Sequence, residues 1–492
     1  MLLSQTEQVV SAHIVSGGVT LLFAVILIGL IVCLALEEKL HARKSVIAAT
    51  FAILCLLLGA ICEILPFEKV VVGSHEPTSV TGSHQDSQTA NGNEGEVHVG
   101  GHAISMPVYI PAVDWGVIAI ILGSSLFVDI TSRSGLFTWI AIKVTKATGG
   151  DPLWLLASYG IMTVVFSAVL NNVTAMIIVG SLTAVSLDKL NRSNLLLGFL
   201  LVEGLLTNVG GMLTLISSVP NIIVGTEAGI SFVTFFQCAA PYVLVATILT
   251  IWMGAWSFGI KRLQSSEQKL EAAELVSSFD EKDGIESQGF FWFGAAMLVL
   301  FITTIATTSY LPYISDLQMG FVAMAFAVIM LLRYKSTADQ FYKALDWDLL
   351  GFFMALFVVI NVMEHAGVLT VIGVGLEKVI GLGDLIGTGA ILLAAAAFSS
   401  VTDNIPLAAM LAKILSSLGT EPDSPLWWSV VFGANLGGNI TPIGSASTLV
   451  AVTIIHKHQL KLTFAGFVKL ALPFALVQIA LATVYVLVFL RG

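Results

Sequence analysis

Charge is what this chain of 492 residues has least of: only 11% of them are Asp, Glu, Lys or Arg, against roughly 25% in soluble domains. So few charges cannot dress a surface that faces water all round. Positive charge is the scarcer sign, with 22 Lys and Arg against 32 Asp and Glu. That argues against nucleic acid, which normally calls for a basic face, and no nucleic-acid partner is expected. Cysteine is nearly missing. Cys33, Cys55, Cys62 and Cys238 all stand in apolar stretches, with a spacing that fits neither a zinc site nor a disulfide framework. They read as packing residues. No nucleophile–base pair, metal-ligand motif or phosphate loop is present, so neither an enzyme nor a cofactor is expected. A cleavable leader is not expected either: the first apolar run, 17–36, is too long, and no Lys or Arg precedes it.

What the chain has instead is apolar sequence. Hydrophobic residues make up 56%, and runs of about 18 or more recur along its length, each about long enough to cross a bilayer. The reading is an all-α polytopic integral membrane protein with about 11–13 membrane spans. A bacterial inner membrane is the expected location, with the bilayer and small inorganic ions as partners. The basic cluster in 39–44 follows the first span, which places that loop inside and the N-terminus outside.

The chain divides by composition. A two-span hairpin occupies 1–66. A polar segment, 67–110, has five acids and one lysine and is read as an extracytoplasmic loop. Its His75, His84, His98 and His102 lack tight ligand spacing, so a solvated loop is preferred to a metal-sampling one. A first block spans 111–258, a charged linker 259–288, two connecting spans 289–333, a second block 334–458 and a last span 459–492.

The two blocks repeat each other. A shift of 232 residues sets Asp114-Trp115 on Asp346-Trp347, Gly135 on Gly367, Lys146 on Lys378 and Ser167 on Ser399. A shift of 227 sets Asn208, Gly210, Gly211 and Thr214 on Asn435, Gly437, Gly438 and Thr441. The first block begins after an acidic loop and the second after Arg333, Lys335 and Lys343, so they are expected to enter from opposite faces. Two inverted-topology repeats are a plan of secondary transporters, with the site at the repeat interface. Within each block, 134–149 and 366–381 read as amphipathic helices in the interface. They would serve as arms of a moving body or as short connecting helices.

Four segments put amides, hydroxyls and glycines where a lipid-facing helix would carry leucine: 167–174, 207–218, 399–406 and 434–448. Such residues compete with helical hydrogen bonding or loosen the backbone, and Pro220, Pro406 and Pro442 each remove a donor. Re-entrant hairpins and broken helices follow. At membrane depth these survive only inside protein or beside a water-filled cavity. Small polar residues also glue membrane helices together, but their recurrence in pairs favours an ion or substrate site. Its candidates are Ser167, Asn171, Asn172, Thr174, Asn208, Gly211, Ser399, Asp403, Asn404, Asn435, Gly438 and Thr441.

Acids within spans are costly and usually functional. Asp403, Glu203 and Asp129 are the candidates for proton coupling. The repeat sets Asp403 on Asn171 and Asp129 on Asn361, so each matched pair carries one acid and its neutral amide. A carboxylate contested by a proton and a cation is the core of antiport. The expected sodium site is Asn171, Asn172, Asp403 and Asn404, sodium being substrate and not cofactor.

The motifs SAVLNNVTAM, LTNVGGMLTLISSVPNIIVG, SSVTDNIPLAAM and ANLGGNITPIGSAST resemble the ion transporter superfamily, in particular its arsenite-permease/NhaD branch. That branch holds NhaD-type sodium/proton antiporters and the melanosomal P protein. The resemblance covers about residues 10–490. It implies a scaffold-plus-transport-domain design, commonly a homodimer, with cation sites at the paired hairpin tips. This chain departs from the pattern at Asn171, where relatives usually show Asp, and at Ser217-Ser218. The leading expectation is sodium (or lithium)/proton antiport by alternating access. Sodium-coupled uptake of a dicarboxylate-like anion and arsenite export are the alternatives; a channel fits the inverted repeats less well.

Overall fold

The computed structural model describes residues 15–65, 98–99, 102–103, 107–282, 284–334, 338–402 and 404–490. Apart from a two-residue antiparallel pairing of His98–Val99 with His102–Ala103, regular structure in the described residues is helical. The polar segment otherwise falls mostly outside them, His75 and His84 included.

The first hairpin comprises α1 (Gly17–Ala35), the short turn α2 (Glu37–Leu40) and α3 (Lys44–Ile61). The first repeat runs α4 (Trp115–Ser132), α5 (Leu136–Ala147), α6 (Pro152–Val169), α7 (Asn172–Lys189), α8 (Leu196–Gly211), α9 (Val219–Glu227) and α10 (Phe232–Ser257). The linker carries α11 (Ser266–Ser277), and a second hairpin is made by α12 (Gln288–Thr307) and α13 (Ile314–Arg333), followed by α14 (Ala338–Ala344). The second repeat runs α15 (Trp347–His365), α16 (Val368–Ile380), α17 (Asp384–Ser399), α18 (Asn404–Ser417), α19 (Pro425–Gly437), α20 (Ala446–Lys457) and α21 (Phe464–Phe489). Among the described residues ten helical stretches are long and apolar enough to cross a membrane, and three shorter apolar helices, Leu385–Ser399, Asn404–Ser417 and Ala446–Lys457, are not. The short ones are limbs of hairpins and of broken helices, which need not cross alone.

The repeat seen in the sequence reaches down to individual caps. Asp114 Oδ1 accepts from Val117 N at 3.0 Å and Asp346 Oδ1 from Leu349 N at 2.9 Å, so each repeat opens on the same N-cap. The indoles of Trp115 and Trp347 both reach back, to the carbonyls of Ile110 and Tyr342. α5 and α16 each start from a glycine with positive φ, Gly135 at 81° and Gly367 at 72°, a turn that strains any other residue. Pro241 and Pro473 occupy matched places inside α10 and α21.

The hairpins are exchanged between the repeats: α13 lies along α4 of the first repeat, and α3 along α15 of the second. The α4–α13 approach is backbone-close. A Cβ on Gly123 would stand 2.5 Å from the Ala323 carbonyl carbon. By length and apolar composition α4, α10, α12 and α13 can each cross once; with α8–α9 counted as one interrupted crossing and the α6–α7 hairpin as none or two, the number of crossings between the start of α4 and the start of α15 is odd. α15 therefore begins opposite α4, and the repeats are inverted. Almost every residue of α8 and α19 is buried, whereas α1 and α3 expose Leu21, Ile28, Ile53 and Ile61 to the bilayer side. The broken helices are the centre and the hairpins the rim.

The linker grips one arm. Lys143 and Lys146 on α5 hold Glu281 at 2.6 and 3.3 Å. Their hydrogen bonds and charge, that of Lys143 foremost, hold the Glu281 carboxyl below the usual carboxylate range. A carboxyl depressed on folding contributes above its unfolded pKa and loses that contribution as pH falls through its lower folded value. The grip should therefore persist across neutral pH and fail only in acid. Glu281→Gln is expected to speed tryptic cleavage within the linker at pH 7.5 without lowering the melting temperature measurably, since exposed pairs add little.

Candidate functional site

Both broken helices are pressed against their hairpins by glycine. A Cβ on Gly210 would lie 2.6 Å from Val164 Cα, and one on Gly437 would lie 2.3 Å from the Ala396 carbonyl oxygen. Val164 and Ala396 are themselves equivalent under the 232-residue shift. Hydroxyls then pin hairpin to break. Ser167 donates to the Thr207 carbonyl at 2.6 Å, and Ser399 donates likewise to that of Ala434. Thr214 donates to the Ala168 carbonyl at 2.6 Å, and Thr441 to that of Ser400 at 2.5 Å. Each repeat thus ties its hairpin tip to its own helix break through the same two bonds.

The repeats also reach into each other. Asn208 of α8 donates to Ser445 Oγ at 2.9 Å, and Ser218 donates to Asn435 Oδ1 of α19 at 2.8 Å. Under the 227-residue shift Asn208 is Asn435 and Ser218 is Ser445, so the same residue pair meets twice, the asparagine donating in one contact and accepting in the other. Asn208 also donates to Asn439 Oδ1 at 2.8 Å and accepts from Ser447 at 3.0 Å. Asn435 donates to Asn221 Oδ1 at 2.9 Å. These amides are buried and well satisfied, as a polar network at this depth must be. Carbonyls freed at the first break are capped inside the protein, Gly211 O and Thr214 O each accepting from Ser217 Oγ and Asn221 Nδ2. Asn439 continues the chain of bonds to Gln478 at 2.8 Å, and Gln478 to Thr250.

The expected site residues divide by this geometry. Ser167, Ser399 and Thr441 are pins, and Asn208 and Asn435 are the crossing. Gly211 presses on Asn172, whose Oδ1 would lie 2.5 Å from a Cβ there, and Gly438 faces Ser445 in the second break. Asn172 and Asn404 are half-buried at the starts of α7 and α18; Asn172 Oδ1 accepts from Ser167 at 2.7 Å, and its Nδ2 lies 3.5 Å from Asn208 Oδ1. Asn171 is exposed, and its Oδ1 caps α7 by accepting from Thr174 N at 2.7 Å. That takes one of the two lone pairs of an oxygen assigned to sodium, as the bond from Ser167 does at Asn172. Asp403 lies outside the described residues.

The other two acids stand apart from the crossing. Glu203 is fully buried on α8, accepts from Thr183 at 2.6 Å, and has its second oxygen without a hydrogen-bond partner. Asp129 pairs with Arg133 at 3.2 Å, one turn along α4. The second repeat carries Asn361 and His365 at the matched places, both members of the ion pair replaced by uncharged or weakly basic groups. Asp129→Asn alone should strand Arg133 at a cost of at most about 1 kcal/mol. Asp129→Asn with Arg133→His, which copies the second repeat, should restore the melting temperature in a thermal-shift measurement.

Ser218, Asn439, Ser445 and Ser447 lie within the polar segments 207–218 and 434–448 but were not among the candidates named there, and Asn221 and Gln478 lie outside all four segments. Carrying the 227-residue alignment a few positions past Thr214 would have paired Ser218 with Ser445; the single Gln478 had no repeat signal. Among the described residues no group of three His, Cys, Asp or Glu is placed to hold a metal ion.

Comparison with known proteins adds an independent line. A family model described as citrate transporter matches residues 97–433. The chain is similar to the uncharacterized transporter Rv2684 of Mycobacterium tuberculosis (strain ATCC 25618 / H37Rv), 28% identical over 380 residues and covering 76% of this chain and 86% of that one. It is similar to the P protein of Homo sapiens, 23% identical over 457 residues and covering 76% of this chain and 54% of that one. In structure it resembles the YdaH transporter of Alcanivorax borkumensis, with a TM-score of 0.54 at 13% identity, covering 91% of this chain and 98% of that one. That likeness is one of fold.

Proposed function

The chain belongs to the citrate transporter family and is an integral membrane transporter, not an enzyme; on that premise we propose that it is a sodium (or lithium)/proton antiporter working by alternating access. The observation that carries the reading is the reciprocal crossing of Asn208 with Ser445 and of Asn435 with Ser218. Two inverted breaks joined in this way give a centre that either face can reach when the repeats rock, as secondary transporters require. The half-buried amides Asn172 and Asn404 supply hard oxygen at the hairpin tips, which suits sodium. Asp403 would be the carboxylate exchanging sodium for a proton, and Glu203 a second acid outside the exchange. The N-terminus would lie outside, the membrane would be a bacterial inner membrane, and the working unit would be a homodimer.

A second reading has its own support. Four helices, α7, α9, α18 and α20, begin at the hairpin tips and breaks, and helix N-termini favour an anion. With the description of the family, this favours cation-coupled uptake of a carboxylate. Against it, no Arg or Lys stands in the four motifs.

The deciding experiment uses proteoliposomes with an internal pH dye and additions of Na⁺, Li⁺, K⁺, citrate or succinate. Proton movement on Na⁺ or Li⁺ alone supports antiport. Labelled citrate or succinate entering only with a cation gradient, with no proton movement on Na⁺ alone, replaces it with the second reading.

A further inference from the structure

The two repeats differ where an arm meets its exchanged hairpin. In the first repeat this place is filled: Trp139 stacks edge-on to Phe291 of α12 at 5.6 Å, Lys143 lies over the Trp139 ring, and Tyr159 and Met162 are buried behind. The matched residues in the second repeat are Val371, Gly375, Ile391 and Ala394. Every one is smaller. All four line a cavity of about 960 Å³ between α1, the arm α16 and the hairpin α17–α18.

We infer that this cavity is a binding site for the acyl chains of a membrane phospholipid. Its lining is apolar, and its two hydroxyls are already spent. Thr20 donates to the Ala366 carbonyl at 2.9 Å and Thr402 to that of Phe398 at 2.8 Å. Among the described lining residues a carboxylate, a metal ion or a row of waters would find no side-chain charge and no uncommitted hydroxyl proton. The cavity is open: Leu21, Ile28, Val371 and Phe398 line it and are exposed on the membrane-facing side of α1, the surface that acyl chains already wet. An empty apolar volume of this size would forfeit packing contacts that a hydrocarbon chain restores. The lipid would wedge between α1 and the hairpin that ends at Ser399 and restarts at Asn404, replacing with an exchangeable molecule the aromatic filling that the first repeat carries in its own sequence. This inference holds whichever ion the crossing binds.

The test copies the first repeat into the second. Wild type and Val371→Trp with Ala394→Met are reconstituted with palmitoyl-oleoyl phosphatidylglycerol and phosphatidylethanolamine, exchanged into mild detergent, and weighed by native mass spectrometry. Wild type should keep a phospholipid adduct. The filled variant should lose it at least about tenfold more readily, with an undiminished melting temperature. If that variant does not fold, Ala24→Phe fills the same space from α1. Equal retention in wild type and filled variant, or no adduct in wild type, overturns the inference. So does a filled variant whose lipid content is unchanged but whose dimer falls apart, since a second copy of the chain would then be the occupant.

Discussion

Asp403→Asn is expected to reduce sodium-driven proton movement in proteoliposomes to the level of empty vesicles, with the melting temperature held near wild type. Asparagine keeps the size of aspartate and an oxygen for the cation but cannot take up a proton. The equivalent position in the first repeat carries not an acid but Asn171, whose amide oxygen caps α7. Glu203→Gln is the companion. Glu203 sits on α8 with Thr183 as its hydrogen-bond partner, and the glutamine variant should retain most of the proton movement. If the two results were exchanged, the proton carrier would be Glu203 and the cation cage would have to be rebuilt around α7 and α8.

Gly437→Val and Gly210→Val should each cost about 3 kcal/mol, the upper end for an overpacked core, and abolish transport. The obstruction at both positions is main chain: the Ala396 carbonyl at 2.3 Å and Val164 Cα at 2.6 Å from the added Cβ. A side chain could rotate away, whereas these atoms can move only if the hairpin separates from the helix break. The bonds from Ser167 and Ser399 would then lose their geometry. Gly375→Ala is the control, because nothing lies within 4 Å of a Cβ there, and it should be silent in both melting and transport. Equal behaviour of all three glycine variants would mean that the close approach of hairpin and break carries no load.

The sequence exposed equivalence well and contact poorly. Matching Ser167 to Ser399 and Asn208 to Asn435 needed only two constant shifts, and the structure places both pairs in the same local roles. A shift cannot say that Asn208 touches Ser445, nor that α3 packs on the far repeat, because self-similarity relates residues without placing them beside one another. Two features were legible and passed over. Asp129 and Arg133 stand at i,i+4 spacing, a helical ion pair by position alone, and Asn171 is the residue type that caps a helix start. The cavity was hidden for a different reason. It arises from what the second repeat lacks at Val371, Gly375, Ile391 and Ala394, and a missing volume shows only when its neighbours are known.

Everything rests on the opposite insertion of the two repeats, and single-cysteine labelling reaches that most directly. With Cys33, Cys55, Cys62 and Cys238 replaced, Tyr109→Cys and Tyr342→Cys place one thiol just ahead of each repeat, at positions whose side chains are exposed. In intact cells treated with a membrane-impermeant maleimide, one of the two should label at once and the other only after the membrane is permeabilised. Labelling of both thiols from the same face would contradict the account.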